Sequence, residues 1–129
     1  MKVPRRFYRM YELETVLVWP CAEEAAKHKA FSKLFPPSSS IEARLLDIGA
    51  GGMRMLLKVD SDITGWFVVA SKALTRAGLE RVGAKVAWTK LVLERERYVG
   101  ISLPFLANEE RLRLARTINR IAVDRAKWK

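Results

Sequence analysis

Soft metal ligands are nearly absent from this 129-residue chain, which has one cysteine and one histidine. Cys21 alone excludes an intramolecular disulfide and suits a reducing cytoplasm. With His28 as the only imidazole, the ligands for a structural zinc site are too few. Long apolar runs are also missing: no window approaches the roughly 20 residues that span a bilayer. Near the N-terminus Tyr11-Glu12-Leu13-Glu14 interrupts any apolar run behind the basic residues, so no signal peptide is expected. Phosphate-binding glycine loops of the P-loop kind, dinucleotide fingerprints and paired catalytic carboxylates do not occur, and no enzyme and no bound cofactor are expected. His28 sits among lysines as a solvated side chain, and Cys21 has no companion histidine to make it a nucleophile.

Acidic residues are scarce. Fourteen stand against 24 lysines and arginines, a formal net charge of +10. Such a field concentrates anionic ligands near the surface and speeds their capture. The length suits a single domain with a modest core.

What is present reads as a strand-rich domain over residues 1–129. Residues 1–10 form a basic arm, flexible without ligand. Tyr11 to Pro20 is a strand rich in β-branched and aromatic residues. Residues 22–40 are an insert: Ala22 to Leu34 has helix-forming composition, and Pro36-Pro37-Ser38-Ser39-Ser40 closes it as a loop. The insert packs on the sheet, binds a partner or acts as a flap. Ile41 to Ile48 and Met53 to Val59 flank the Gly49-to-Gly52 turn as a hairpin. Thr64 to Ala70 is another strand, and Lys72 to Glu80 is a helical turn or a loop. Val82 to Leu93 and Arg97 to Leu103 form a long hairpin around Glu94-Arg95-Glu96.

A helix over 107–127 ends the chain, with Asn108 as its N-cap and Glu109 and Glu110 at the positive end of its dipole. Leu114, Ile118, Ile121 and Ala122 make an apolar stripe that covers the sheet or mediates dimerisation. The expected architecture is mainly β: a small antiparallel barrel with a C-terminal α-helix and a helical insert after the first strand.

Two motifs carry chemistry. Arg5-Arg6-Phe7-Tyr8-Arg9 supplies three arginines within five positions. The guanidinium fork fits phosphate oxygens and the O6/N7 edge of guanine. Asp47-Ile48-Gly49-Ala50-Gly51-Gly52 opens a glycine-rich turn with a carboxylate, which can accept from guanine N1 and N2 hydrogens or cap the turn. Together they suit a ligand with both phosphates and guanines. Arg44 and Arg54 flank the turn as surface residues that add positive potential.

This pair of motifs resembles the PilZ family, bacterial receptors for cyclic di-GMP. That family shows R-x-x-x-R and then [D/N]-x-S-x-x-G; Arg5 and Arg9 match the first, Asp47 and Gly52 the second. Gly49 stands where the family has serine. Val86-Ala87-Trp88 and the run from Tyr98 to Phe105 resemble two further family strands.

The resemblance implies a cyclic di-GMP site made of Arg5, Arg6, Arg9, Asp47, Gly49, Gly52 and Trp88. In it Trp88 either stacks on guanine or is a barrel-surface tryptophan. It also implies a monomer or homodimer that passes its signal to an unidentified effector protein. The process served would be motility, exopolysaccharide production, adhesion or virulence. Two other readings stand beside it. One is a PilZ-like adaptor that binds no nucleotide. The other is a basic barrel that binds single-stranded nucleic acid, using Trp19, Trp66 and Trp88 as stacking platforms.

Overall fold

A computed structural model describes residues 8–28, 40–49, 51–58 and 64–126. Six strands run β1 (Tyr8–Cys21), β2 (Ile41–Ile48), β3 (Gly52–Lys58), β4 (Trp66–Ala70), β5 (Val82–Leu93) and β6 (Glu96–Ser102). Three helices accompany them: α1 (Glu23–Lys27), α2 (Lys72–Arg76) and α3 (Asn108–Ala126). The strands close into an antiparallel barrel in the order β1-β2-β3-β6-β5-β4. This is the mainly β architecture expected from the sequence, with its C-terminal helix.

Alternation builds the interior. Along a strand successive side chains point to opposite faces. Val16 and Val18, Ala43 and Leu45, Met53, Met55 and Leu57, and Phe67 and Val69 therefore face inward and are buried together. On α3, Leu114, Ile118 and Ile121 share one helical face and join the same core, with Leu103 and Leu106 beneath. The C-terminal stripe thus covers the barrel.

The N-cap of α3 is Ala107 and not Asn108. The side chain of Glu110 reaches back to accept from the Ala107 N–H at 2.9 Å, one half of a capping box.

Two further boundaries differ from expectation. Residues 8–10 of the basic arm belong to β1, where Tyr8 lies opposite Ile48 and Arg9 opposite Asp47. Backbone pairing to β2 extends the strand into the basic arm. The insert helix stops at Lys27, because His28 leaves helical dihedrals for extended ones. Alanine at 22 offers no side-chain cap, so α1 is a single turn held by Ala26, which is buried. Residues 29–39 lie outside the described residues.

A second apolar cluster of Trp19 and Val68, flanked by Leu17, Cys21 and Ala25, lies beside α1. Arg81 caps it, its guanidinium 4.4 Å from the centre of the Trp19 ring. Among the described residues no helix is long and apolar enough to cross a membrane.

Candidate functional site

The outer surface of the barrel carries the candidate site, and two β-bulges create it. On β2, Ala43 and Leu45 point inward opposite Leu57 and Met55. Strict alternation would send Asp47 inward too. The register slips by one at Leu46, so Asp47 lies opposite Arg54 and Ile48 returns to the core opposite Met53. A slip of one residue exchanges the two faces of a strand, and here it moves a carboxylate out of an apolar interior.

A matching slip occurs on β5. Val86 packs against the core opposite Ile101, yet Trp88 lies opposite Gly100, with Ala87 as the extra residue. The indole is consequently outside and 43% exposed.

These registers join into one row across five strands. Arg9 pairs with Asp47, Asp47 with Arg54, Arg54 with Gly100, and Gly100 with Trp88. Neighbouring strands lie about 4.8 Å apart, so the row from β1 to β5 is roughly 19 Å long.

Within it, Asp47 is 3% exposed and its carboxylate is taken by Arg54. The guanidinium Nε donates to Oδ1 at 2.8 Å and to Oδ2 at 2.7 Å, and a terminal nitrogen of Arg54 also donates to Oδ2. This hydrogen bond is the main reason the Arg54 pKa is raised above its ordinary value. Arg54 itself is half-exposed, so one side of the pair faces solvent while the other is sealed. A carboxylate that accepts a fork of N–H groups keeps further lone pairs for a ligand.

Gly100 is the floor of the row. The indole of Trp88 lies directly over it, and a Cβ at this position would collide with the indole Nε1 and Cε2. Glycine therefore lets a large aromatic side chain lie flat on the sheet, its outer side open.

The glycine turn is tied down at both ends. The Gly49 N–H donates to the Gly52 carbonyl at 2.9 Å, and the Leu103 N–H donates to the Gly51 carbonyl at 3.0 Å. Gly52 is buried, and a Cβ there would strike the Ile101 carbonyl, so the close approach is to β6 rather than to open space.

Of the residues expected at a ligand site, Asp47, Trp88 and the backbone of Arg9 fall in one row; Gly49 and Gly52 bound the adjoining turn. Arg5 and Arg6 lie outside the described residues. Arg54 is the residue the sequence reading undervalued, as a surface charge. Its signal was present: once the hairpin turn at 49–52 is read, Asp47 and Arg54 are opposite charges in equivalent positions on its two arms. Arg44 lies further along the same outer surface, opposite Thr15 and Leu56. A shallow hollow of about 290 Å³, lined by these residues with Glu42 and Lys58, opens there. Among the described residues no group of histidine, cysteine, aspartate or glutamate side chains could hold a metal ion.

The sequence matches no protein-family model and no curated protein. The backbone, by contrast, is similar to solved structures. One is MotI/DgrA, the inhibitor of motility from Bacillus subtilis. It superposes with a TM-score of 0.59 at 16% identity, over 95% of this chain and 53% of that one. This chain therefore spans about half the length of that protein. Another is the PilZ domain of YcgR from Escherichia coli, a structure with c-di-GMP. It has a TM-score of 0.57 at 15% identity, over 95% of this chain and 97% of that one. The closed barrel with its C-terminal helix has the PilZ-type fold.

Proposed function

We propose that this chain is a receptor for cyclic di-GMP that signals through a partner protein. The observation that carries the reading is the row of Asp47, Arg54, Gly100 and Trp88 on one outer surface, next to the glycine turn and in register with the backbone of Arg9. Cyclic di-GMP combines two phosphates with two guanines, and the row offers a group for each. Asp47, oriented by Arg54, accepts from guanine N1 and N2 hydrogens. The exposed side of the Arg54 guanidinium attracts phosphate. The Trp88 indole gives a guanine ring a flat face to stack on.

The backbone of Arg9 is in register with Asp47, and Arg5 and Arg6 precede it in the chain by four and three residues. Binding orders the arginine arm over the nucleotide against the Asp47-to-Gly52 turn. The altered surface then changes affinity for the effector, a shift driven by contacts that exist in only one of the two states. Glycine at 49 in place of serine removes one hydroxyl contact. This costs about 1 kcal/mol, or roughly tenfold in affinity at most. Support comes also from the fold, which is similar to that of a PilZ domain solved with c-di-GMP.

Calorimetric titration with cyclic di-GMP tests the reading, beside GTP and an Arg9→Ala variant. Saturable binding at micromolar concentration or tighter, absent for GTP and lost in the variant, is the expected result. No heat at high protein concentration sinks it. One observation favours a second reading, an adaptor that binds no nucleotide: the Asp47 carboxylate is already committed to Arg54 and nearly inaccessible.

A further inference from the structure

Four of the large hydrophobic side chains that the described residues expose lie within six consecutive positions of β5. Trp88 is 43% exposed, Leu91 55%, Val92 38% and Leu93 62%. The strand explains why. β5 pairs with β6 from Lys85 to Leu93, with slips at Ala87 and Val92, but with β4 only from Val82 to Lys85. The Val86 N–H still donates to the Gly65 carbonyl. From Ala87 to Leu93, no described strand pairs with the other edge. A run of backbone donors and acceptors is thus presented beside apolar side chains, which is the template for adding a strand.

The two sides of this edge differ in chemistry. Lys85, Trp88 and Lys90 share the outer surface, by their pairing with Ser102, Gly100 and Tyr98. Thr89 and Leu91 are on the opposite side, in register with Val99 and Arg97; a second slip at Val92 then brings Leu93 to the outer side, opposite Glu96. Not one acidic residue occurs from Val82 to Leu93. A second copy of this chain has no carboxylates on that strand to set against Lys85 and Lys90, and a net charge of +10 on each copy opposes their approach.

We infer that the β5 edge from Ala87 to Leu93 receives an extended segment of a partner protein, in which acidic and apolar residues alternate. Main-chain hydrogen bonds hold the segment. Its acidic side meets Lys90 and approaches Lys85 where the free edge begins, and its apolar side meets Thr89 and Leu91. The inference stands on the sheet edge alone and is independent of the nucleotide reading.

The test is an NMR titration of the whole chain with a synthetic decapeptide of alternating valine and glutamate. Two controls accompany it: alternating valine and lysine, and the same valines and glutamates with all the acids at one end. The alternating acidic peptide is expected to shift the amides of 87–93 and to slow their hydrogen exchange, with neither control doing so. Lys90→Glu, on an exposed side chain, is expected to weaken that peptide about tenfold.

Shifts scattered over the basic surface, or equal binding of the block peptide, would reduce the effect to general charge and overturn the inference. So would slow exchange at 87–93 in the free protein, which would mean that the chain covers its own edge. Concentration-dependent broadening of the same amides without peptide would give the edge to a second copy, and the inference would fall.

Discussion

Asp47 and Arg54 face each other across the β2–β3 hairpin, with the guanidinium Nε within 2.8 Å of both carboxylate oxygens. The aspartate is sealed and the arginine is half open to water. This asymmetry makes the pair both a structural element and a site. Water cannot replace the arginine at the buried carboxylate, yet a ligand can approach the arginine from outside.

Arg54→Ala leaves that carboxylate buried without its donor. The expected loss is about 1–3 kcal/mol of folding stability, at the low end for buried pairs because the guanidinium is itself half-solvated. Urea unfolding monitored by circular dichroism measures it. Arg54→Lys is expected to recover part of the stability, since an ammonium lacks the fork geometry. A stability equal to the parent in Arg54→Ala would show the pair to be energetically idle.

Gly100→Ala is expected to lift the Trp88 indole off the sheet, because the new methyl would occupy the space of the ring. The Trp88 indole N–H resonance should move, and stability should fall by about 1–3 kcal/mol as for other overpacked sites. If the resonance stays in place while β6 distorts, the glycine serves the backbone and not the indole.

Leu114→Ala removes a fully buried side chain that seats α3 on the barrel. A loss of about 2–5 kcal/mol is expected, read as a lower midpoint in chemical denaturation. Leu112→Ala, on an exposed position of the same helix, is expected to change stability little and controls for helix propensity.

Burial pushes the Cys21 thiol above its ordinary pKa. The thiolate is the reactive form, so less of it is present at neutral pH than for a free cysteine. Alkylation of the folded protein is expected to be slow at neutral pH and to rise with pH, with a midpoint above that of the urea-unfolded chain. Equal midpoints in the two states would refute the burial effect.

Much of the fold is legible in the chain. Alternation in Ile41 to Ile48 and in the strand after the turn predicts a hairpin, and β5 runs over the very residues, Val82 to Leu93, that composition marks out. Leu114, Ile118 and Ile121 announce the covering face of α3 by helical spacing alone. Periodicity reads such features because each depends on neighbours a few positions away. The charges of the arginine cluster and of Asp47 are legible for a simpler reason: charge resides in the residue type itself.

Other features required the assembled barrel. No local signal says that Asp47 and Trp88 lie outside. Each sits where strict alternation would turn it inward, and only the one-residue slips at Leu46 and Ala87 turn it out. Gly100 became the floor beneath Trp88 through a pairing settled between strands. The strand conformation of Tyr8 to Met10 was decided the same way. Side-chain types and their spacing determined the strands, the covering helix and the charges available. Register between strands distant in sequence decided which of those side chains share a surface, because a slip of one residue exchanges the faces of the sheet at little local cost.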